Sequence, residues 1–473
     1  MRRALVVATV LLVTACSSSS PQGVVVAPTP KASASPIATP LSGSIGAAQY
    51  RIEVPASWNG TLFLYSHGYV APGHINLATD SPAPVISSWL LDHGYAIAGS
   101  SYSSTGWALE DAFKDQVALL DFFNQRFSKP KRVIAWGGSL GGIITAGLIQ
   151  LHPDRFAGAI PLCGVLAGGV ATWNAGLDGA YAFKTLLAPT SNLQLVNIND
   201  PAANAQLAAN MFDQASATPA GQARIALIAA LGDLPGWFDP AGPEPAANDY
   251  AAQEAAQARW ESQVDFPFEF QYRAELEQRA AGNPSWNTGV DYAHQLAISA
   301  DSAEVAALYQ AAGLDLAADL RALNSGPRIE ADPTAVAYLT RNISFDGNIS
   351  VPVLTMHTTG DGLVVVQNEA AYADAVKAAG KQDLLRQVFV HRAGHCAFSY
   401  AETIVLIQQM IKRLDTGQWD DAALQPTALN AGAQAMGDSY NEVGGFFISP
   451  PAFAMYAPAT YPRTFSKGSS VPA

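Results

Sequence analysis

From Gln49 onward, short apolar runs alternate with longer stretches whose apolar residues recur at helical spacing. Tyr50 to Val54, Thr61 to Ser66, Tyr95 to Ser100, Arg132 to Trp136, Gly158 to Leu162, Val351 to His357 and Leu385 to His391 read as strands. Several are apolar almost throughout, the pattern of strands covered on both faces of a parallel sheet. Pro84 to His93, Trp107 to Phe127, Leu140 to Leu151, Glu369 to Ala379 and Tyr400 to Leu414 read as the covering helices. The alternation predicts an α/β fold, a mostly parallel sheet with helices on both faces and a ligand site at the carboxyl ends of its strands.

One interval breaks the rhythm. Residues 164–348 are Ala-rich and helical in character, punctuated at Pro235-Gly236, Pro243, Gly282 to Pro284 and Gly326-Pro327. Compact domains rarely carry structureless loops of that length, so a helical cap is expected here, inserted between core segments 45–163 and 349–419. Within it, "VDFPFEFQY" reads as an extended segment with Phe266, Phe268, Phe270 and Tyr272 on one side. These aromatics form either the cap's own core or, through Phe268 and Phe270, the roof of an acyl or aryl pocket. Residues 420–473 carry aromatics without a clear period and receive no assignment.

The chain opens with Arg2 and Arg3, an apolar run from Ala4 to Val13, and Thr14-Ala15-Cys16. This is a basic region, a short apolar region and a small-residue cleavage site, as in an export signal over residues 1–15. The run is too short to span a bilayer. Val13-Thr14-Ala15-Cys16 resembles the bacterial lipobox, which implies lipidation at Cys16 and a cell-envelope lipoprotein; the alternative is a secreted protein with a chance cysteine. Residues 16–44, rich in Ser, Pro and Ala, have the composition of a tether. Membrane contact is expected only through the lipid.

Composition narrows the partners. Of 473 residues 49% are hydrophobic, and the formal charge is -13 without a Lys/Arg cluster. Such a chain buries a large core and repels polyanions, which excludes nucleic acid as the expected partner and leaves small molecules.

The chemistry concentrates in "VIAWGGSLGGIITAG", where an apolar strand meets glycines around Ser139 and continues as a helix. Gly137-Gly138-Ser139-Leu140-Gly141 is a G-x-S-x-G nucleophile elbow in the strand-turn-helix context it requires. No Lys follows Gly141-Gly142, so a phosphate-binding loop does not fit, and no cofactor is expected. A serine hydroxyl needs a base to take its proton and an acid to orient the base. Asp361 follows one later strand in "VPVLTMHTTGDGLV", and His395 follows the next in "LLRQVFVHRAGHCAF". Of the eight histidines, His391 is the rival base, but it sits at the strand edge, whereas His395 follows Gly394 in a loop. Arg392-Ala393-Gly394 lacks the glutamate of a zinc-peptidase helix, so no metal is expected.

The elbow, the T-x-x-D loop and the Gly-His loop, in that order, make the chain similar to the α/β-hydrolases from about Tyr50 to Thr416. The resemblance implies a cap inserted after the sixth core strand. It also implies a Ser139-Asp361-His395 triad, with an oxyanion hole formed by the backbone N–H groups of Leu140 and of Tyr69 in "YSHGYV". Tyr102 and Trp107, in "SSYSSTGW", are candidate pocket residues with an ordinary structural role as the alternative.

Three function classes follow: hydrolysis of a small or short-chain carboxylic ester, which the triad favours; a serine peptidase resembling proline-preferring and tripeptidyl aminopeptidases; and a non-catalytic ligand-binding lipoprotein. Gly-His-Cys also resembles the tannase and feruloyl esterase type, in which a cysteine beside the nucleophile pairs with the one after the histidine, but Gly138 stands at that position here. With Cys16 lipidated, Cys163 and Cys396 remain either as a disulfide or as two buried thiols.

Overall fold

The structure, a computed structural model, describes residues 40–466. The export signal, Cys16 and nearly all of the expected tether lie outside the described residues. The strands are β1 (Leu41–Ile45), β2 (Ala48–Glu53), β3 (Thr61–Ser66), β4 (Ala96–Ser100), β5 (Arg132–Gly138), β6 (Gly158–Leu162), β7 (Val353–Gly360), β8 (Leu385–Ala393), β9 (Glu442–Val443), β10 (Phe447–Ile448) and β11 (Phe453–Ala454). Nine form one sheet in the order β1-β2-β4-β3-β5-β6-β7-β8-β11. The pairs from β4 across to β8 are parallel, while β1, β2 and β11 add antiparallel edges. The fold is that of an α/β-hydrolase.

Successive residues of the central strands enter opposite cores, as the two-residue period of a strand dictates. Leu62, Leu64, Val133 and Ala135 pack on one face with the helices Leu109–Arg126 and Leu140–Leu151. Phe63, Tyr65, Ile134 and Trp136 pack on the other with Pro84–Asp92 and Tyr400–Thr416. Both faces are therefore apolar, and the sequence shows continuous runs rather than alternation. Strand order reverses around β3, which lies between β4 and β5, and the carboxyl ends of β3 and β5 face the crevice where such sheets bind ligands.

Between β6 and β7 the chain forms helices from Gly169–Leu187 to Pro333–Arg341 with a core of their own that includes Leu177, Phe183, Phe212 and Tyr309. Their starts are marked locally. Asp200, Thr218 and Asp332 cap helices whose first turn begins with Pro201, Pro219 and Pro333, each side chain accepting from a free backbone N–H.

Three expectations change. The segment expected to be extended is helical, with two π-helical turns at Glu261–Asp265 and Phe268–Tyr272. β1 begins inside the interval expected to be tether and pairs with β2 from Leu41 to Ile45. The unassigned tail contributes the helix Pro426–Gln434, a β9–β10 hairpin and β11 on the sheet edge. It then returns to the cap, where Arg463 grips the buried Asp178 through Nη1 at 2.8 and 2.7 Å.

Candidate active site

Ser139 stands between β5 and the helix Leu140–Leu151 with φ 60° and ψ -126°, a left-handed, strained conformation. The turn is so tight that a Cβ on Gly137 or Gly141 would lie 2.2 or 1.9 Å from the Ser66 carbonyl oxygen, which requires glycine at both positions. Leu140 is the first helical residue, so its N–H has no intrahelical acceptor. Opposite it, a Cβ on Gly68 would lie 3.4 Å from Ser139 Cβ, which puts the Gly68-Tyr69 turn against the serine.

Asp361, buried in the loop after β7, accepts from Leu363 and Val364 N–H through Oδ1 at 3.0 Å each, and from His395 Nδ1 through Oδ2 at 2.8 Å. Burial alone would raise the Asp361 pKa. The charge of His395 and hydrogen bonds from His357 and His395 outweigh it and hold the carboxyl at about 2. Cys396 forms a disulfide with Cys163 at the end of β6, with 5.4 Å between the Cα atoms. A Cβ on Gly138 would lie 3.6 Å from each sulfur, so the bridge seats the histidine loop beside the nucleophile elbow. His395 Nε2 rests 3.5 Å from Cys396 Sγ, and among the described residues Ser139 Oγ makes no hydrogen bond. Catalytic contacts are often open in a free enzyme and close with substrate. His391 points elsewhere, pairing with Glu244 at 3.1 Å.

A cleft opens at Ser139. Leu140, Tyr69, Trp107, Trp173 and Phe268 line it, together with Glu261, Asp265, Glu269 and Arg273 from the cap. Two candidate pocket residues fall outside it. Phe270 is fully buried against Phe183 and Phe266, because helical spacing turns it and Phe266 inward to the cap core while Phe268 and Tyr272 face Tyr69. Tyr102 stacks under His67 at 4.0 Å and donates to its carbonyl, which supports the turn that carries Tyr69.

The prolyl oligopeptidase family model matches residues 95–174, from β4 through the elbow into the first cap helix. Over 421 residues, 82% of this chain and 89% of its own, the o-phthalyl amidase of Xanthobacter agilis is 32% identical. The chain is a serine hydrolase of the α/β-hydrolase family. More distant likenesses are the rice cell wall degrading esterase LipA from Xanthomonas oryzae, at 13% identity and TM-score 0.34 over 72% of this chain and 78% of that one. An esterase from Aspergillus oryzae stands at 13% and 0.39 over 79% and 78%.

The hydrolase also holds groups that the sequence singled out only in part or not at all. His357, read as a strand residue, is fully buried between Asp361 and Glu369 and donates from Nε2 to the Val364 carbonyl at 2.7 Å. Nothing in a strand pattern marks it. Of Glu269, Glu275 and Glu277, the cap carboxylates that the sequence offers for a free amino group, Glu269 alone lines the cleft; Glu261 and Asp265 join it because the three recur every four residues, a spacing visible only once the segment is read as helix. Tyr461 of the tail lines the cleft from the far side.

Proposed function

We propose that the hydrolase cleaves small carboxylic esters and amides through an acyl-enzyme formed on Ser139. The observation that carries this reading is the Asp361–His395 hydrogen bond of 2.8 Å in a loop tethered beside Gly138. A ligand-binding protein has no use for that arrangement. The sequence favours esters; the 32% identical relative is by name an amidase, which extends the reading to amides. His395 Nε2 takes the Ser139 proton as Oγ attacks the acyl carbon, and Asp361 orients the ring and stabilises its charge. Leu140 and Tyr69 N–H groups hold the developing oxyanion. His395 then gives the proton to the leaving oxygen or nitrogen, and water attacks the acyl-enzyme by the same route in reverse.

Ser139→Ala is expected to lower kcat on 4-nitrophenyl acetate about a thousandfold or more with the far-ultraviolet dichroism unchanged. Intact-protein mass should show a slow ester trapped as one acyl group on the wild type and none on the variant. Wild-type turnover by Ser139→Ala rules the mechanism out, and a loss in His391→Ala equal to that in His395→Ala moves the base to His391.

We further propose export and lipidation at Cys16, which the Cys163–Cys396 disulfide supports because such bonds persist outside the reducing cytosol. Cys16→Ala expressed in a bacterial host should release the protein from the membrane fraction; unchanged fractionation excludes the anchor.

A further inference from the structure

We infer that the cleft reads a protonated amino group on the substrate, held by the carboxyl groups of Glu261, Asp265 and Glu269 beside Ser139. The inference rests on the proposed acyl transfer at Ser139 and adds the substrate class. The three acids recur every four residues through the π-helical turns Glu261–Asp265 and Phe268–Tyr272, and all line the cleft that Ser139 lines. π-helical turns are rare and frequent at functional sites. Across the cleft the helix Gly169–Leu187 presents Gly176 and Gly179; a Cβ on Gly179 would lie 3.1 Å from Glu269 Oε1, so the missing side chain makes room for the carboxyl group.

None of the three carboxyl groups makes a hydrogen bond or ion pair among the described residues, although Glu269 is only 8% exposed and Glu261 3%. Glu269 Oε2 and Asp265 Oδ2 are closed to solvent and accept nothing. Buried polar atoms are almost always partnered, so such orphans at the wall of a cleft point to a ligand that supplies donors. The nearby cation does not meet the need. Arg273 lowers the Glu269 pKa through its charge, but its hydrogen bonds go elsewhere, from Nε to Glu277 at 3.2 Å and from Nη2 to Asn283 at 2.8 Å. Burial raises the Glu261 pKa to about 8, and burial together with the neighbouring carboxyl groups raises Asp265 and Glu269 as well. An ammonium group supplies the positive charge and the N–H donors that this crowding lacks.

The test uses 4-nitroanilides of alanine, 4-aminobutyrate and 6-aminohexanoate against their neutral isosteres, the isobutyryl, pentanoyl and heptanoyl anilides. Succinyl and 2-carboxybenzoyl anilides form an anionic arm. At least one amino-bearing anilide is expected to exceed its isostere tenfold in kcat/KM, and that ratio should fall at least tenfold in both Glu269→Gln and Asp265→Asn. Calorimetric binding to Ser139→Ala protein reads the same preference without turnover, so a failed mechanism and a failed subsite are told apart. Isosteres that bind and react as well as the amines overturn the inference, as does a preference that both variants keep. A preference for the anionic arm assigns recognition to Arg273 instead.

Discussion

His357 Nδ1 and Glu369 Oε1 share a hydrogen bond of 3.1 Å, with neither side chain exposed. The Val364 carbonyl can only accept, so His357 Nε2 carries a hydrogen, and the carboxyl groups of Asp361 and Glu369 beside the ring favour a second on Nδ1. Asp361 Oδ2 stands 3.5 Å from His357 Nε2. The histidine therefore holds the acid of the proposed triad from behind.

The protonation of His357 makes stability depend on pH. Burial lowers its pKa, but hydrogen bonds to Asp361 and Glu369 and their charges raise it from 6.5 to about 10. With the folded value above the unfolded one, its contribution is complete below about pH 6.5 and is lost as pH rises through about 10. Asp361 runs the other way: its contribution is present above 3.8 and lost as pH falls through about 2. The melting temperature of the wild type should fall between pH 6.5 and 10, and His357→Gln should flatten that fall while reducing kcat more than it changes KM. A variant with the wild-type slope removes His357 from this role.

The Cys163–Cys396 bridge spans 233 positions, and closing so long a loop is worth up to about 5 kcal/mol in the chain-entropy model. Cys163→Ser should lose part of that in denaturant unfolding and should lower kcat more than tenfold, because the His395 loop is then no longer tied to β6. Alkylation of denatured, unreduced protein should label neither cysteine. Full labelling of both would show that the bridge does not form.

Arg463 holds Asp178, which is fully buried, across the junction of tail and cap. Arg463→Ala leaves a buried carboxylate without its cation and is expected to cost about 3–5 kcal/mol. Asp178→Asn in the same chain should recover most of the loss. Denaturant midpoints decide it: additive losses in the double variant would mean that the two residues do not act as a pair.

Phe268 and Phe270 should behave oppositely although they are two residues apart. Phe270→Ala empties a site in the cap core and is expected to cost about 3–5 kcal/mol. Phe268→Ala, which removes a ring packed 5.0 Å from Tyr69 in the cleft, should shift the ratio of kcat/KM between short and long acyl esters. Equal stability losses with unchanged selectivity would place both rings in the core.

The strand-to-helix run around Ser139 and the order Ser139, Asp361, His395 were legible because they are local: an apolar run, glycines where backbones touch, and turns just past strand ends. The cap was legible only as an interval of helical character. Its internal faces were not, since "VDFPFEFQY" has aromatics every second residue and so fits a strand's period as well as two faces of a helix. Read as a strand, it put Phe270 beside Phe268 and hid the acids at every fourth residue.

Sequence by itself determined the sheet, its two apolar faces, the elbow and the residues of the proposed triad, because backbone geometry ties each to a short stretch of chain. Tertiary structure alone decided what no window of residues contains. It brought Cys163 and Cys396, the pair that the sequence left as a disulfide or two thiols, within bridging distance, and put the buried His357 behind Asp361. It also brought Tyr461 and Arg463 back from the tail to the cleft and cap, and left the carboxyl groups of Glu261, Asp265 and Glu269 at the cleft without a hydrogen-bonded cation. Each of these depends on contacts between segments far apart in the chain, where the burial of charge and the closure of long loops set the energy, and neither is written in local periodicity.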